Sequence, residues 1–385
     1  MVRAIQKEYF VKYRVEIIVF TIFLVYLLIL RIFIPISNGR LLPGLSYIPL
    51  GEGFADWDYF VMMSRDIFSI FKGKIVEPFC YRPFIPLIAG LLPFNIEISY
   101  SMITLLSIYL TGIMLYFTLR LKFNKMLSLF GLVMFCLLCY LPSNWIITDY
   151  SFFHVELFMI YLVDVESWLI IICCFYCILS SKKIGFAISL TLGVLIKEVV
   201  LFTIPVFLIY ELLENDRNEG KRQKFYSFLR NIQYIVPGIL TYLIIHFIVI
   251  PQPTSEVPAW YLYYEKNDYG SIGMILAFIG KRIDQIINDP LKLFQWTIGI
   301  WGIPLVLLWF FNKKSDFVYW LKLYGIFIIL VYLQLFWGMA EGKYIDLAFF
   351  PMISLGVSGL NRTSILINNK IKDVYGSSDT KRICN

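Results

Sequence analysis

Two aspartates flank a tryptophan at Asp56-Trp57-Asp58, in a chain that is otherwise largely compatible with hydrocarbon. A carboxylate in such a setting acts as a general base, or binds a metal, where its pKa and position suit. On a helix, positions i and i+2 point in different directions, so the two acids do not share one task. The same residues also fit a cap on an amphipathic helix beginning near Tyr59, with Asp58 as the N-cap. Arg82 lies in Cys80-Tyr-Arg-Pro-Phe-Ile-Pro86, between aromatics and prolines. There a guanidinium holds a phosphate by bidentate hydrogen bonds, snorkels to the interface, or pairs with a neighbouring acid. Lys197-Glu198 interrupts the apolar run Leu190–Pro205. Charges there are costly unless they pair or face water, and such residues mark a site by default. Lys343, between Glu341 and Asp346, follows the same logic. Asp149, His154 and Glu156 complete the candidates, with His154 as a proton shuttle, a ligand or a structural interfacial residue.

Composition says what carries these groups. The 385 residues are 59% hydrophobic and 16% charged, and the mean hydropathy is +0.73. Soluble domains carry roughly 25% charged residues. Apolar runs of about 20 residues recur without alternation, which favours an all-α polytopic membrane protein over a barrel. The formal charge of +7 concentrates in short loops and tails, as the positive-inside bias requires, so nucleic acid is not an expected partner. The expected partners include membrane lipids.

The hydropathy pattern predicts about ten spans in one integral membrane domain, 1–385, with both termini cytoplasmic. The first span covers about 15–36. An outer loop follows at 37–96 and includes a helix near 84–94. Further spans fall near 97–119, 126–144 and 167–181, with an outer surface segment at 148–166. The stretch 184–214 reads as two short helices meeting at Lys197-Glu198. Later spans fall near 232–250, 293–311, 317–337 and 346–361, with an outer segment at 251–290 and a cytoplasmic tail at 362–385. Every candidate residue then lands on the outer side, while the inner loops are mostly plain Lys and Arg.

Other motifs contribute less. Seven cysteines include CxxC spacings at Cys136/Cys139 and Cys174/Cys177. Both lie in apolar spans without His or acidic ligands beside them, so they read as packing residues rather than a metal or redox site. His246 reads as a core histidine bonded to a neighbouring helix. The sequence holds no P-loop, GxSxG or dinucleotide fingerprint.

The layout resembles the GT-C class of integral membrane glycosyltransferases. The likeness rests on a first span followed by a large outer loop with an acidic motif, Asp56-Trp-Asp58. It rests also on Gly193-Val-Leu-Ile-Lys197-Glu198 before a proline-bearing helix, and on the charged turn Lys343-Tyr-Ile-Asp346. The motif here is DWD, where several members carry an adjacent acidic pair. The resemblance implies that a sugar moves, with inversion, from a polyprenyl-phosphate-sugar donor to a glycan, lipid or protein acceptor at the outer face. It implies Asp58 or Asp56 as the base, with Arg82, Lys197 and Lys343 holding phosphate. A divalent metal is an option within that class, not a requirement. A transporter or lipid flippase would also place charges at membrane depth, but would carry broken helices in two related halves, and the sequence has only one such hairpin.

Overall fold

A computed structural model describes residues 13–28, 55–70, 82–140, 164–215, 229–249, 299–337 and 349–379, with isolated helical residues at 280, 283–284 and 287–288. These residues form an all-helical protein, with no strand among them. In chain order the helices are α1 (13–28), α2 (Ala55–Arg65), α3 (Phe84–Leu91), α4 (Ile96–Arg120), α5 (Lys125–Tyr140), α6 (Asp164–Leu179) and α7 (Lys183–Ile196). They continue with α8 (Thr203–Asn215), α9 (Val236–Ile244), α10 (Gly299–Trp309), α11 (Lys314–Trp337) and α12 (Phe349–Asp379). Helix α4 from Ile98 is long and apolar enough to cross a membrane, and parts of α5, α6, α7 and α9 form shorter apolar helices.

The turns between helices have local causes. The Asn95 side chain accepts from the Ile98 amide and caps α4, and Asn124 does the same for Leu127 at the head of α5. Helix α6 closes on Ser181, which adopts a left-handed φ of 57°, and the Lys182 amide reaches back to the Cys177 carbonyl. That is the six-to-one bond of a Schellman ending, here with serine in the position glycine usually takes. Pro237 occupies the first turn of α9, where a missing N–H costs nothing. Beyond Ile244 the helix loosens into a π turn, Ile245–Val249. His246 meets the Tyr242 carbonyl of the preceding helical turn at 3.0 Å.

Aromatic contacts hold the main core. Phe175 of α6 stacks on Phe350 of α12 at 4.7 Å and meets Tyr324 and Phe327 of α11 edge-on. Trp320 extends the cluster by stacking on both Tyr324 and Phe123. Phe186 stacks on Phe207 at 4.3 Å, and Lys183 pairs with Glu211, so α7 and α8 run antiparallel as a hairpin. At the same end Tyr210 donates to the Leu179 carbonyl, and Glu16 of α1 binds Tyr116 and Lys125. The turns at 121–124 and 180–182 therefore gather at one end. Pro83 and the α7–α8 break lie at the other, over a smaller core formed by Phe60, Met63, Ile85, Tyr100, Ile196 and Ile245.

One expectation needs correction. The helix carrying the DWD motif starts at Ala55, not near Tyr59, so Asp58 stands inside the first turns and is not an N-cap. The helix at the span expected near 346–361 continues to Asp379, through the first part of the segment assigned to the tail. Polar residues such as Asn361, Arg362 and Thr363 end a hydrophobic run without ending a helix.

Helices α10 and α12 cross closely through Gly356 and Gly359. Asn312 donates to the Leu355 carbonyl, and a Cβ on Gly359 would meet the Leu308 carbonyl of α10. The Gly359→Ala variant should lose about 1–3 kcal/mol, because backbone rather than a flexible side chain blocks the space. Gly325→Ala in α11 meets only Leu321 at ordinary contact and should be neutral or stabilising. Thermal unfolding of both purified variants checks the contrast.

Candidate functional site

Three residues selected for their charge meet at the break between α7 and α8. Arg82 donates through Nη2 to Glu198 Oε1 at 2.7 Å and through Nε to Oε2 at 3.3 Å. The contact joins residues 116 positions apart. Arg82 is 7% exposed and Lys197 4%. The Glu198 side chain keeps 37% of its surface open.

Local sequence explains the break. Gly193 lets α6 and the following turn approach closely, since a Cβ there would strike Ile170 and Val200 at 2.6 Å. Lys197 then swings to extended backbone, with φ −162° and ψ 133°, while its amide still reaches the Gly193 carbonyl. A short 3-10 turn, Glu198–Phe202, leads into α8. Thr203 Oγ1 closes that turn by donating to the Val200 carbonyl. Pro83 performs the matching task on the Arg82 side, immediately ahead of α3.

Burial alone would push the Glu198 carboxyl up. The Arg82 guanidinium and then the Lys197 ammonium outweigh it and hold the group at about 2. Two cations and one carboxylate leave the trio with a net positive charge, and both cations act on Glu198.

Helix α2 lies over the same small core. Tyr100 of α4 reaches Ser64 Oγ at 2.8 Å and the Phe60 carbonyl at 3.2 Å, and Gly90 of α3 lets the Ser64 carbonyl approach. Asp56 and Asp58 both belong to this helix. By helical register, position 56 falls on the row of buried Phe60 and Met63, and position 58 on the row of exposed Met62 and Arg65.

The structure thus brings Arg82, Lys197 and Glu198 together beneath the helix that carries Asp56 and Asp58. Asp149, His154, Glu156 and Lys343 lie outside the described residues. Among the described residues, no three His, Cys, Asp or Glu side chains gather for a metal. Two groups escaped the sequence reading. Tyr100 sits within an apolar helix and gives no signal beyond its hydroxyl. Glu166 looked like one of several acids at a surface, yet it is buried in the first turn of α6, where Thr104 Oγ1 donates to its Oε1 at 3.3 Å. Its signal was an acid two residues before a tryptophan at the head of an apolar helix. Compared with protein-family models, curated proteins and solved structures, the chain matches none of them.

Removing one partner of the Arg82–Glu198 pair leaves the other without its salt bridge. Glu198→Gln should cost on the order of 2 kcal/mol, below the 3–5 kcal/mol of a fully buried pair because solvent reaches Glu198. The double exchange Arg82→Glu with Glu198→Arg should recover most of it, as read by denaturant unfolding of both proteins. The pH profile has a definite sign. The folded carboxyl sits below its unfolded value of about 4.3, so the stabilisation is complete above that value and disappears as pH falls through about 2. Unfolding midpoints measured between pH 6 and pH 2 should show this loss in the wild type and not in Glu198→Gln.

Proposed function

We propose that the chain is a multi-pass membrane glycosyltransferase that moves a sugar from a polyprenyl-phosphate-linked donor to an acceptor at one membrane face. The observation that carries this reading is the convergence of Arg82, Lys197 and Glu198 at a helix break beneath the acidic helix α2. Anion-holding groups and candidate bases then lie at the same end of the fold, as a displacement at a lipid-linked phosphate requires.

The membrane reading draws on exposed apolar side chains. Ile18 and Ile22 of α1, Leu106 of α4, Ile188 of α7, Leu240 of α9 and Ile329 of α11 all face outward. Soluble monomers rarely expose apolar surface on this scale. About ten spans, cytoplasmic termini and an outward site remain part of this proposal, and the long apolar helix α4 supports it.

The chemistry needs one base and one cation. An acceptor hydroxyl gives its proton to an α2 aspartate and attacks the anomeric carbon from the face opposite the phosphate. The bond from that carbon to the phosphate oxygen breaks, and its electron pair leaves with the phosphate. Lys197 stabilises the released anion. Arg82, already paired, positions the break instead of neutralising the phosphate itself. The register of α2 favours Asp56 over Asp58 as the base, because the row of position 56 packs toward Tyr100 and the small core. Lys343, Asp149, His154 and Glu156 keep their proposed binding roles.

One observation also suits a transporter or flippase. The unwound backbone at Lys197, with charges at the break, is a device that transporters use for substrate and ion.

The test is sugar transfer by the purified protein in lipid nanodiscs, with labelled polyprenyl-phosphate hexoses as donors. Asp56→Asn should lower turnover by about 10²–10⁴-fold while the protein stays folded. Asp58→Asn should retain more activity, and Lys197→Met should weaken donor binding. Donor bound without transfer, but carried across the membrane, would establish the transporter reading instead.

A further inference from the structure

Glu166 is the least explained group in the described part of the molecule. Its side chain is 2% exposed. Oε1 takes the Thr104 hydroxyl, while Oε2 is buried with no hydrogen-bond partner among the described residues. Buried carboxyl oxygens are rarely left this way, because desolvation is then uncompensated. Its neighbours Val165, Ile170 and Ile171 pack as an apolar helix and give no reason for an acid.

Its position supplies a reason. Ile170, one turn along α6, packs where Gly193 of α7 has no side chain. Lys197 lies one turn beyond Gly193 and is bonded to its carbonyl. Helices α6 and α7 join through a tight turn and run antiparallel, so Glu166 and Lys197 stand at the same height on adjacent elements. On its other side, Glu166 meets Thr104 of α4, and Tyr100 one turn away ties α4 to α2. Glu166 therefore lies between the helix that carries the aspartates and the break that carries Lys197. On the glycosyl-transfer reading, the migrating group would occupy that interval, with the attacking oxygen on one side and the leaving oxygen on the other.

We propose that Glu166 is a specificity-determining anchor for a ring hydroxyl of the transferred sugar, which donates its hydrogen to the unpartnered oxygen Oε2. The assignment rests on the glycosyl-transfer reading for its ligand class. The carboxyl forms no covalent bond to the sugar and takes no part in the displacement.

The experiment compares two probes on the full chain in nanodiscs: a polyprenyl-phosphate hexose and the same polyprenyl phosphate without sugar. Binding is measured for wild type, E166Q and E166A. E166A should bind the sugar-bearing lipid roughly tenfold more weakly, the worth of one hydrogen bond, and the bare lipid unchanged. E166Q should fall between, since its amide carbonyl still accepts. An equal loss for both lipids would show that Glu166 only shapes the site, and no loss for either would show that it meets no ligand; both results overturn the assignment. If E166A does not fold, E166Q and donors lacking one ring hydroxyl at a time carry the test. One deoxy donor should bind wild type and E166Q alike, and the absence of any such donor sinks the assignment. If wild type binds neither lipid, the glycosyl-transfer reading fails and the hydroxyl anchor goes with it. Binding without discrimination by Glu166 removes the anchor alone.

Discussion

The pairing of Arg82 with Glu198 is the constraint on which the site-bearing end depends. It fastens the segment ahead of α3 to the tip of the α7–α8 hairpin, where Ile85 and Ile196 also share the small core. Without a cation at 82, an acid at the tip would sit at a helix break with burial opposing its charge. Without the acid, a nearly buried guanidinium would have lost its principal partner. Each group makes the other tolerable, and together they fix where α3 begins. From α3 the chain positions α2 through the close approach at Gly90, and α4 through the Asn95 cap.

The same pairing sorts the charges at this end. Arg82 and Glu198 form a frame at the break, and Lys197 adds a second cation beside the same carboxylate. Glycine makes this density possible. Gly193 admits Ile170 and Val200 at the break, and Gly238 of α9 admits Leu190 of α7 farther along the hairpin. The polar junction thus rests on close-packed apolar helices, which limits how far its members drift.

Much of this was legible in the sequence, for a physical reason. Charges inside apolar runs are costly, so Arg82, Lys197 and Glu198 announced themselves, and so did the break that frees Lys197 from helical backbone. The all-helical class followed from uninterrupted hydrophobicity. The start of α2 was not legible, because Asp58 is as good a cap as it is a residue of the first turns, and only packing against Tyr100 and Gly90 decides between them. Glu166 was not singled out because it falls at the end of 148–166, a stretch with several acids that reads as lying at the outer surface. Thr104, its partner, comes from 62 residues earlier. Helix α12 runs past the hydrophobic stretch because hydropathy reports where a helix leaves an apolar environment, not where its backbone hydrogen bonds stop.

Helix α7 has 14 residues between the turn after Ser181 and the break at Lys197. At 1.5 Å per residue it rises about 21 Å, against about 30 Å for the hydrocarbon of an ordinary bilayer. If α7 crosses a bilayer, as the proposed function has it, a mismatch of that size is met by drawing the two leaflets together beside the short element. Lipid along the outward face of α7, around Ile184, Ile188 and Leu192, would then be thinned. A long-chain lipid approaching from that side would find its headgroup lowered toward Lys197 before it made contact with the protein. The hairpin's shortness would act on the membrane, so that part of the work of presenting a lipid-borne ligand is done by bilayer elasticity.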